Sequence, residues 1–239
     1  MEKELNLPRR GEFLTFLDAV SKISDSAIFN VREDKLTSLV SSIDNTLILY
    51  SEYTVPSSFE DTLNIPDIKK LSRVLDTLET DDITLKINSN NIEYSGSNVK
   101  FQYHLFEEGF LTNPSINLDK INKFEFDVEF TLDKPLLQRI FKGSTFASET
   151  NKIYFYIEDG ELMAELTDRA RHNTDNFTIS LGPVNFTLKP TPINFDNIRL
   201  LTSISNEFKV KINTEYGVVV FEIEADGIKL KYIISALTQ

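Results

Sequence analysis

Paired carboxylates are the residues of this 239-residue chain best suited by type to acid–base chemistry, and they occur as Glu107-Glu108, Asp81-Asp82 and Glu158-Asp159. Such work needs two carboxyl groups whose surroundings pull their pKa values apart. Neighbouring acids in polar turn sequences face water together, and no spacing singles out one pair, so no catalytic residue is assigned. Two imidazoles are available for metal or proton transfer. His104 alternates with Phe101, Tyr103 and Leu105 in a strand pattern, His172 sits in the polar run Arg169-Ala-Arg-His-Asn, and neither has a partner at zinc-ligand spacing. Cysteine is absent, which excludes disulfides, thiolate metal sites and cysteine nucleophiles. Gly143-Ser144-Thr145 lacks the spacing of a phosphate loop, and the eight glycines form no dinucleotide fingerprint. Asn176-Phe-Thr and Asn185-Phe-Thr match the glycosylation pattern. The start Met1-Glu-Lys-Glu-Leu-Asn lacks a secretory signal's basic and apolar regions, so they are read as coincidental in an intracellular protein. The expectation is a non-enzyme with no cofactor and no metal.

The cations carry more information than the acids. With 25 Lys+Arg against 37 Asp+Glu, the formal charge is -12, which argues against a protein that coats DNA with its whole surface. Four segments have helical periodicity, at about residues 9 to 22, 66 to 78, 133 to 147 and 195 to 204. They hold ten cations and six carboxylates, a balance of +4, so everything outside them carries -16. In the second helix Ile68, Leu71, Val74, Leu75 and Leu78 share one arc while Lys69, Lys70 and Arg73 share the opposite one. In the third, Leu136, Leu137, Ile140 and Phe141 make the apolar face; Lys134, Gln138 and Lys142 line the other side, with Arg139 at its margin. The first has an apolar stripe of Phe13, Phe16, Leu17 and Val20, with Lys22 opposite and Arg9 and Arg10 at its start. The short fourth offers Arg199 alone. Any one such face is ordinarily a solvated surface. Side by side, three of them make a positive lining suited to a polyanion's backbone without base reading.

Period-2 alternation dominates the rest. Strands are expected at Ser26 to Arg32, Lys35 to Ser42, Thr46 to Tyr53, Ile83 to Ile87, Asn91 to Ser95 and Val99 to Phe106. They resume at Phe124 to Leu132, Lys152 to Ile157, Glu161 to Thr167, Phe177 to Leu181, Asn185 to Lys189, Glu207 to Asn213, Gly217 to Glu224 and Gly227 to Ser235. Residues 107 to 122, with Gly109 and Pro114, fit neither helix nor regular strand and read as a connector between an N-terminal domain (1–106) and a C-terminal domain (123–239). The helix starts are spaced by 57, 67 and 63 residues, which suggests four copies of a helix-plus-meander unit, two in each half.

These residues resemble the DNA sliding clamps of the proliferating cell nuclear antigen type and their T-even-type bacteriophage counterparts. The likeness is carried by Leu39-Val-Ser-Ser-Ile-Asp-Asn-Thr-Leu-Ile-Leu, by Leu63-Asn-Ile-Pro-Asp-Ile-Lys-Lys-Leu-Ser-Arg-Val-Leu with Asp81-Asp-Ile-Thr-Leu, and by Asp133-Lys-Pro-Leu-Leu-Gln-Arg-Ile. It implies an α+β clamp fold, two similar domains each with two helices packed on antiparallel sheets, assembling as a homotrimeric ring around duplex DNA. The implied partners are a DNA polymerase and a clamp loader, in the host cytoplasm if the source is a bacteriophage. By this resemblance the DNA-facing residues are Lys69, Lys70, Arg73, Lys134, Arg139 and Lys142, then Arg9, Arg10, Lys22 and Arg199. The peptide pocket is Ile43, Leu118, Ile121, Ile234 and Ala236; the connector is short of apolar residues, and the end Ser235-Ala-Leu-Thr-Gln239 lacks the acidic tail of some relatives. Subunit contacts fall on Val99, Phe101 and Tyr103 of one edge strand and Phe177, Ile179 and Leu181 of another. The alternative is a β-rich viral structural or assembly protein whose basic helices face solvent or a partner.

Overall fold

Strand, helix and three more strands occur in that order four times along the chain. The computed structural model describes residues 3–116 and 118–237. The first repeat is β1 (Lys3–Leu7), α1 (Arg10–Ser21), β2 (Ala27–Arg32), β3 (Lys35–Ser41) and β4 (Leu47–Thr54). The second is β5 (Asp61–Ile65), α2 (Ile68–Asp76), β6 (Ile83–Ile87), β7 (Asn91–Ser95) and β8 (Lys100–His104). After a short helix α3 (Leu118–Asn122), the third is β9 (Val128–Asp133), α4 (Lys134–Phe146), β10 (Lys152–Glu158), β11 (Glu161–Leu166) and β12 (Phe177–Pro183). The fourth is β13 (Thr191–Asn194), α5 (Phe195–Arg199), β14 (Glu207–Asn213), β15 (Val218–Ala225) and β16 (Ile228–Ser235).

The chain divides into two compact units, one of Met1–Ile116 with Glu224–Lys231 and one of Asn117–Ile223 with Tyr232–Gln239. In the first, the sheets run β1-β6-β7-β8 and β5-β2-β3-β4, with the start of β16 beside β4. In the second they run β12-β11-β10-β13 and, from the end of β16, β15-β14-β9. Each repeat's first strand thus joins the meander of the other repeat in its unit. The pairing is antiparallel, as in Leu5 with Leu85 and Ile65 with Ala27.

Helices form where apolar residues recur on one face and a polar cap starts the turn. Asp67 accepts the Lys70 amide at 2.8 Å before α2, and Asp133 accepts the Leu136 amide at 2.7 Å before α4. Phe13 and Phe16 of α1 are buried against Tyr53 of β4, and Phe16 also meets Phe29 of β2 edge-on. In the second unit Phe141 of α4 meets Phe195 of α5 at 5.9 Å.

The structure departs from sequence expectation in five places. Asn185 to Lys189 is an irregular segment, next to Pro190 and Pro192, which lack amide donors; Ile157 donates its amide to the Leu188 carbonyl at 3.2 Å. The ladder begins at Thr191, with Pro192 tolerated on edge strand β13. Strands β1, β5 and β13 add to the expected set; β5 buries Leu63, Asn64 and Ile65 in succession and β13 buries Pro192 and Ile193 side by side, so neither alternates. The connector ends in α3, one turn long, which buries Ile121 and leaves Asp119 and Lys120 exposed. Residues 124–127 precede β9 without pairing, and the fourth helix stops at Arg199.

Candidate nucleic-acid interface

The cations of the α2 and α4 faces differ from most strand cations in their pairing. Strand cations are largely neutralised by acids on adjacent strands or loops. These pairs are Lys3 with Asp61 (2.8 Å), Lys35 with Glu52 (3.2 Å), Lys209 with Glu129 (2.7 Å), Lys211 with Glu222 (2.7 Å) and Lys229 with Glu224 (3.1 Å). Among the described residues Arg32 and Lys100 are exceptions. On α2 and α4, exposed Lys70, Arg73, Lys134, Arg139 and Lys142 form no ion pair among the described residues; Arg73 donates its Nε to the Lys69 carbonyl at 3.3 Å. Lys69 meets Asp25 at 3.0 Å, but both side chains are more than half exposed, so solvent screens the pair. In each unit, then, one capped helix presents cations whose charge no local acid cancels.

The second-rank cations are placed differently. Arg10 turns inward, and its Nη1 donates to the carbonyls of Leu75 and Asp76, both at 3.1 Å, and to that of Leu78. It closes the C-terminal end of α2, where the helix dipole favours positive charge, and so is not free to meet a phosphate. This corrects its assignment to the channel. Arg9 pairs with Glu12 at 2.6 Å, Lys22 with Asp18 at 2.9 Å, and Arg199 with Asp196 at 2.9 Å while lying over the Phe195 ring. Burial pushes the Glu12 carboxyl above its ordinary value against the pull of Arg9.

The two strands expected to meet other subunits are both sheet edges, β8 beside β7 alone and β12 beside β11 alone. Phe101, Phe177, Ile179 and Leu181 are half-buried along them, and Val99 lies just before β8. Tyr103 instead points into the first unit. Its hydroxyl donates to the Asp67 carbonyl at 2.7 Å and accepts the Asp67 amide at 3.0 Å, and burial pushes the phenol up to about 12. It anchors the start of α2 and presents no surface to a second chain.

Of the expected peptide-pocket residues, Ile43 is fully exposed, at 104%, while Ile121 and Ile234 are core residues that a peptide cannot reach as they are placed. Leu118 and Ala236 are half-buried. In the first unit a cleft of about 270 Å³ lies between β2, β3 and the connector, with Leu39, Val40, Leu111 and Pro114 among its walls. In the second unit, the Ala236 amide donates to the Gly217 carbonyl at 2.7 Å. Tyr216, next to that glycine and 62% exposed, stacks on Phe124 at 5.1 Å. This open aromatic pair was not found by sequence reasoning. The local signal is two aromatics, Phe124 and Phe126, directly after the connector in a stretch whose alternation predicts a strand.

No protein-family model matches the chain, and no curated protein matches it. Solved structures do. The PCNA of A. fulgidus, determined with the C-terminal region of FEN-1 bound, is similar with a TM-score of 0.77 and 13% identity over 99% of both chains. The proliferating cellular nuclear antigen of Entamoeba histolytica is similar with a TM-score of 0.78 and 13% identity over 99% of both chains. Together with the four strand–helix–meander repeats and the two-unit division, this likeness establishes that the chain has the fold of the PCNA sliding clamps.

Proposed function

We propose that this protein is a non-enzymatic sliding clamp: a ring, trimeric by the family resemblance, that encircles duplex DNA and tethers a replicative polymerase. The observation that carries the reading is the segregation of charge, with uncancelled cations on α2 and α4 in a chain whose strand cations are mostly matched by acids. Lys69, Lys70, Arg73 and Lys134 meet the phosphates through mobile and water-bridged contacts, which hold the duplex without fixing its register. The acidic remainder disfavours DNA anywhere but the lining.

Partner proteins dock by short segments on Ile43 and the neighbouring cleft of the first unit, walled by Leu39, Val40, Leu111 and Pro114. The A. fulgidus relative, seen with a C-terminal region of FEN-1, supports a peptide-sized partner. The polymerase and a clamp loader are the partners expected here.

The test is topological. Concentrated protein is incubated with nicked circular duplex, passed over a sizing column, and compared with a sample in which the circle has been cut. A clamp stays with the circle and is lost from the linear form. Equal retention on both forms would favour a surface-binding protein, and no retention on either would favour the viral structural alternative.

A further inference from the structure

Beside the irregular segment that leads into β13, the second unit opens a cleft of about 820 Å³. Its walls include Phe186, Leu188 and Lys189 of that segment, Ile157 of β10, and Asp127 and Thr214, which stand just before β9 and just after β14. The segment has a strand's burial without a strand's bonds. Asn185, Thr187 and Lys189 are exposed, while Phe186 is half-buried and Leu188 buried. Yet no backbone amide from Asn185 to Lys189 meets an acceptor among the described residues. The Leu188 carbonyl accepts from Ile157, and the Lys189 carbonyl accepts the Thr191 hydroxyl at 3.0 Å. Main-chain donors left open at the lip of a cleft are a template for an added strand.

The same sheet edge already takes one such contact. Strand β13 is last in its sheet, and its Pro192 carbonyl accepts the amide of Leu237, which follows β16, at 2.9 Å. The chain's own C-terminal segment thus covers β13 at Pro192, and residues 185–189 carry no such cover among the described residues.

Charge narrows the occupant. Asp127, Glu125 two residues before it, Glu158 next to Ile157 and Glu215 next to Thr214 are all exposed, and none has a cation partner among the described residues. Burial works against the Asp127 charge, but the Thr214 hydroxyl and amide hold its carboxyl below the ordinary value, so it stays ionised at neutral pH. Lys189 is the only cation among the described lining residues. Ile157, Phe186 and Leu188 supply apolar surface that alternate side chains of an extended segment can meet.

We propose that this cleft binds a basic segment of a partner protein in extended form. The partner's main chain pairs with residues 187–189 as a strand added beside β13, its apolar side chains lie on Ile157 and Phe186, and its cations stand beside Asp127 and Glu125. The site belongs to the second unit alone, shares no residue with the cleft at Ile43 or with the basic faces of α2 and α4, and does not depend on the ring reading.

The probe is a fluorescein-labelled heptapeptide that alternates valine with arginine. Its controls are the same peptide with glutamate for arginine and two forms N-methylated on one or the other alternate set of backbone amides. Anisotropy titration of the full chain at 0.1 M NaCl is expected to show binding of the probe, and a loss of roughly tenfold or more for the glutamate peptide and for at least one methylated form. E125Q/D127N keeps an acceptor for Thr214 and is expected to weaken binding roughly threefold, with circular dichroism as a check on folding. Amide hydrogen exchange locates the bound peptide, and protection is expected at residues 185–189. No binding at millimolar protein overturns the inference, as does binding that neither methylated form nor E125Q/D127N changes. Protection at residues 39–45 and 111–114 in place of 185–189 would assign the peptide to the first-unit cleft and overturn it equally.

Discussion

Ile43 stands in water at the tip of the β3–β4 turn because its neighbours fix the backbone beneath it. Asp44 accepts from the Ser42 hydroxyl at 2.6 Å and from the Thr46 amide at 3.2 Å, and Asn45 takes a positive φ of 56°. The Ser42 hydroxyl and then the Thr46 amide hold the Asp44 carboxyl below its ordinary value. A lowered carboxylate contributes stability that is fully present above its unfolded-state value and is lost as pH falls through the lowered folded one. Carbon-detected NMR titration is therefore expected to find Asp44 titrating below the ordinary aspartate value, and Ser42→Ala to move it upward; an unmoved midpoint would show that the hydroxyl does not hold the turn. The sequence made Ile43 and its Asp-Asn turn legible, since short polar residues around an apolar one are a local pattern. It did not make Tyr216 and Phe124 legible as a pair, because 92 positions separate them in the chain and only the fold brings their rings together.

At the scale of elements, α2 depends on a residue from another helix. Its first turn is closed from within by Asp67, but its last carbonyls are met by Arg10 from the start of α1, whose own amide donates to the Asp81 carbonyl at 2.8 Å. Replacing Arg10 by Ala leaves those acceptors to water and removes a charge from the negative helix end. It is expected to lower stability by about 1–2 kcal/mol in urea unfolding. Arg9→Ala, which removes only a screened pair with Glu12, is expected to cost less than about 1 kcal/mol. Equal losses would mean that the capping role is not what stabilises α2. Amphipathic spacing alone located the bodies of α1, α2 and α4 in the sequence, because 9 to 13 residues repeat the helical period enough times to be seen. The short strands β1, β5 and β13 became strands through partners distant in sequence, and α3 through one buried isoleucine. Local pattern has no access to either cause.

For the whole molecule, a charge of -12 states less than its distribution does. Reversing Lys70, Arg73 and Lys134 to Glu leaves every hydrogen-bonded cap and buried face of α2 and α4 in place. The melting temperature is expected to stay close to that of the wild type, while retention on circular DNA falls and fails at lower salt. Retention unchanged across a salt series would take these residues out of the lining. The exchange of first strands between repeats bears on how the chain comes into being. Leu5 has no ladder partner until Leu85 has been made, and β5 is the strand that completes the meander begun by β2. During synthesis β1 therefore waits with an open edge while β2, β3 and β4 pair locally, and the first unit cannot close until most of its length has left the ribosome. A single repeat cut from the chain would lack one strand of its own sheet and carry one that belongs elsewhere. The pair of repeats is thus the smallest piece in which every first strand meets its meander, and an interruption of translation between them leaves β1 with an unpaired edge.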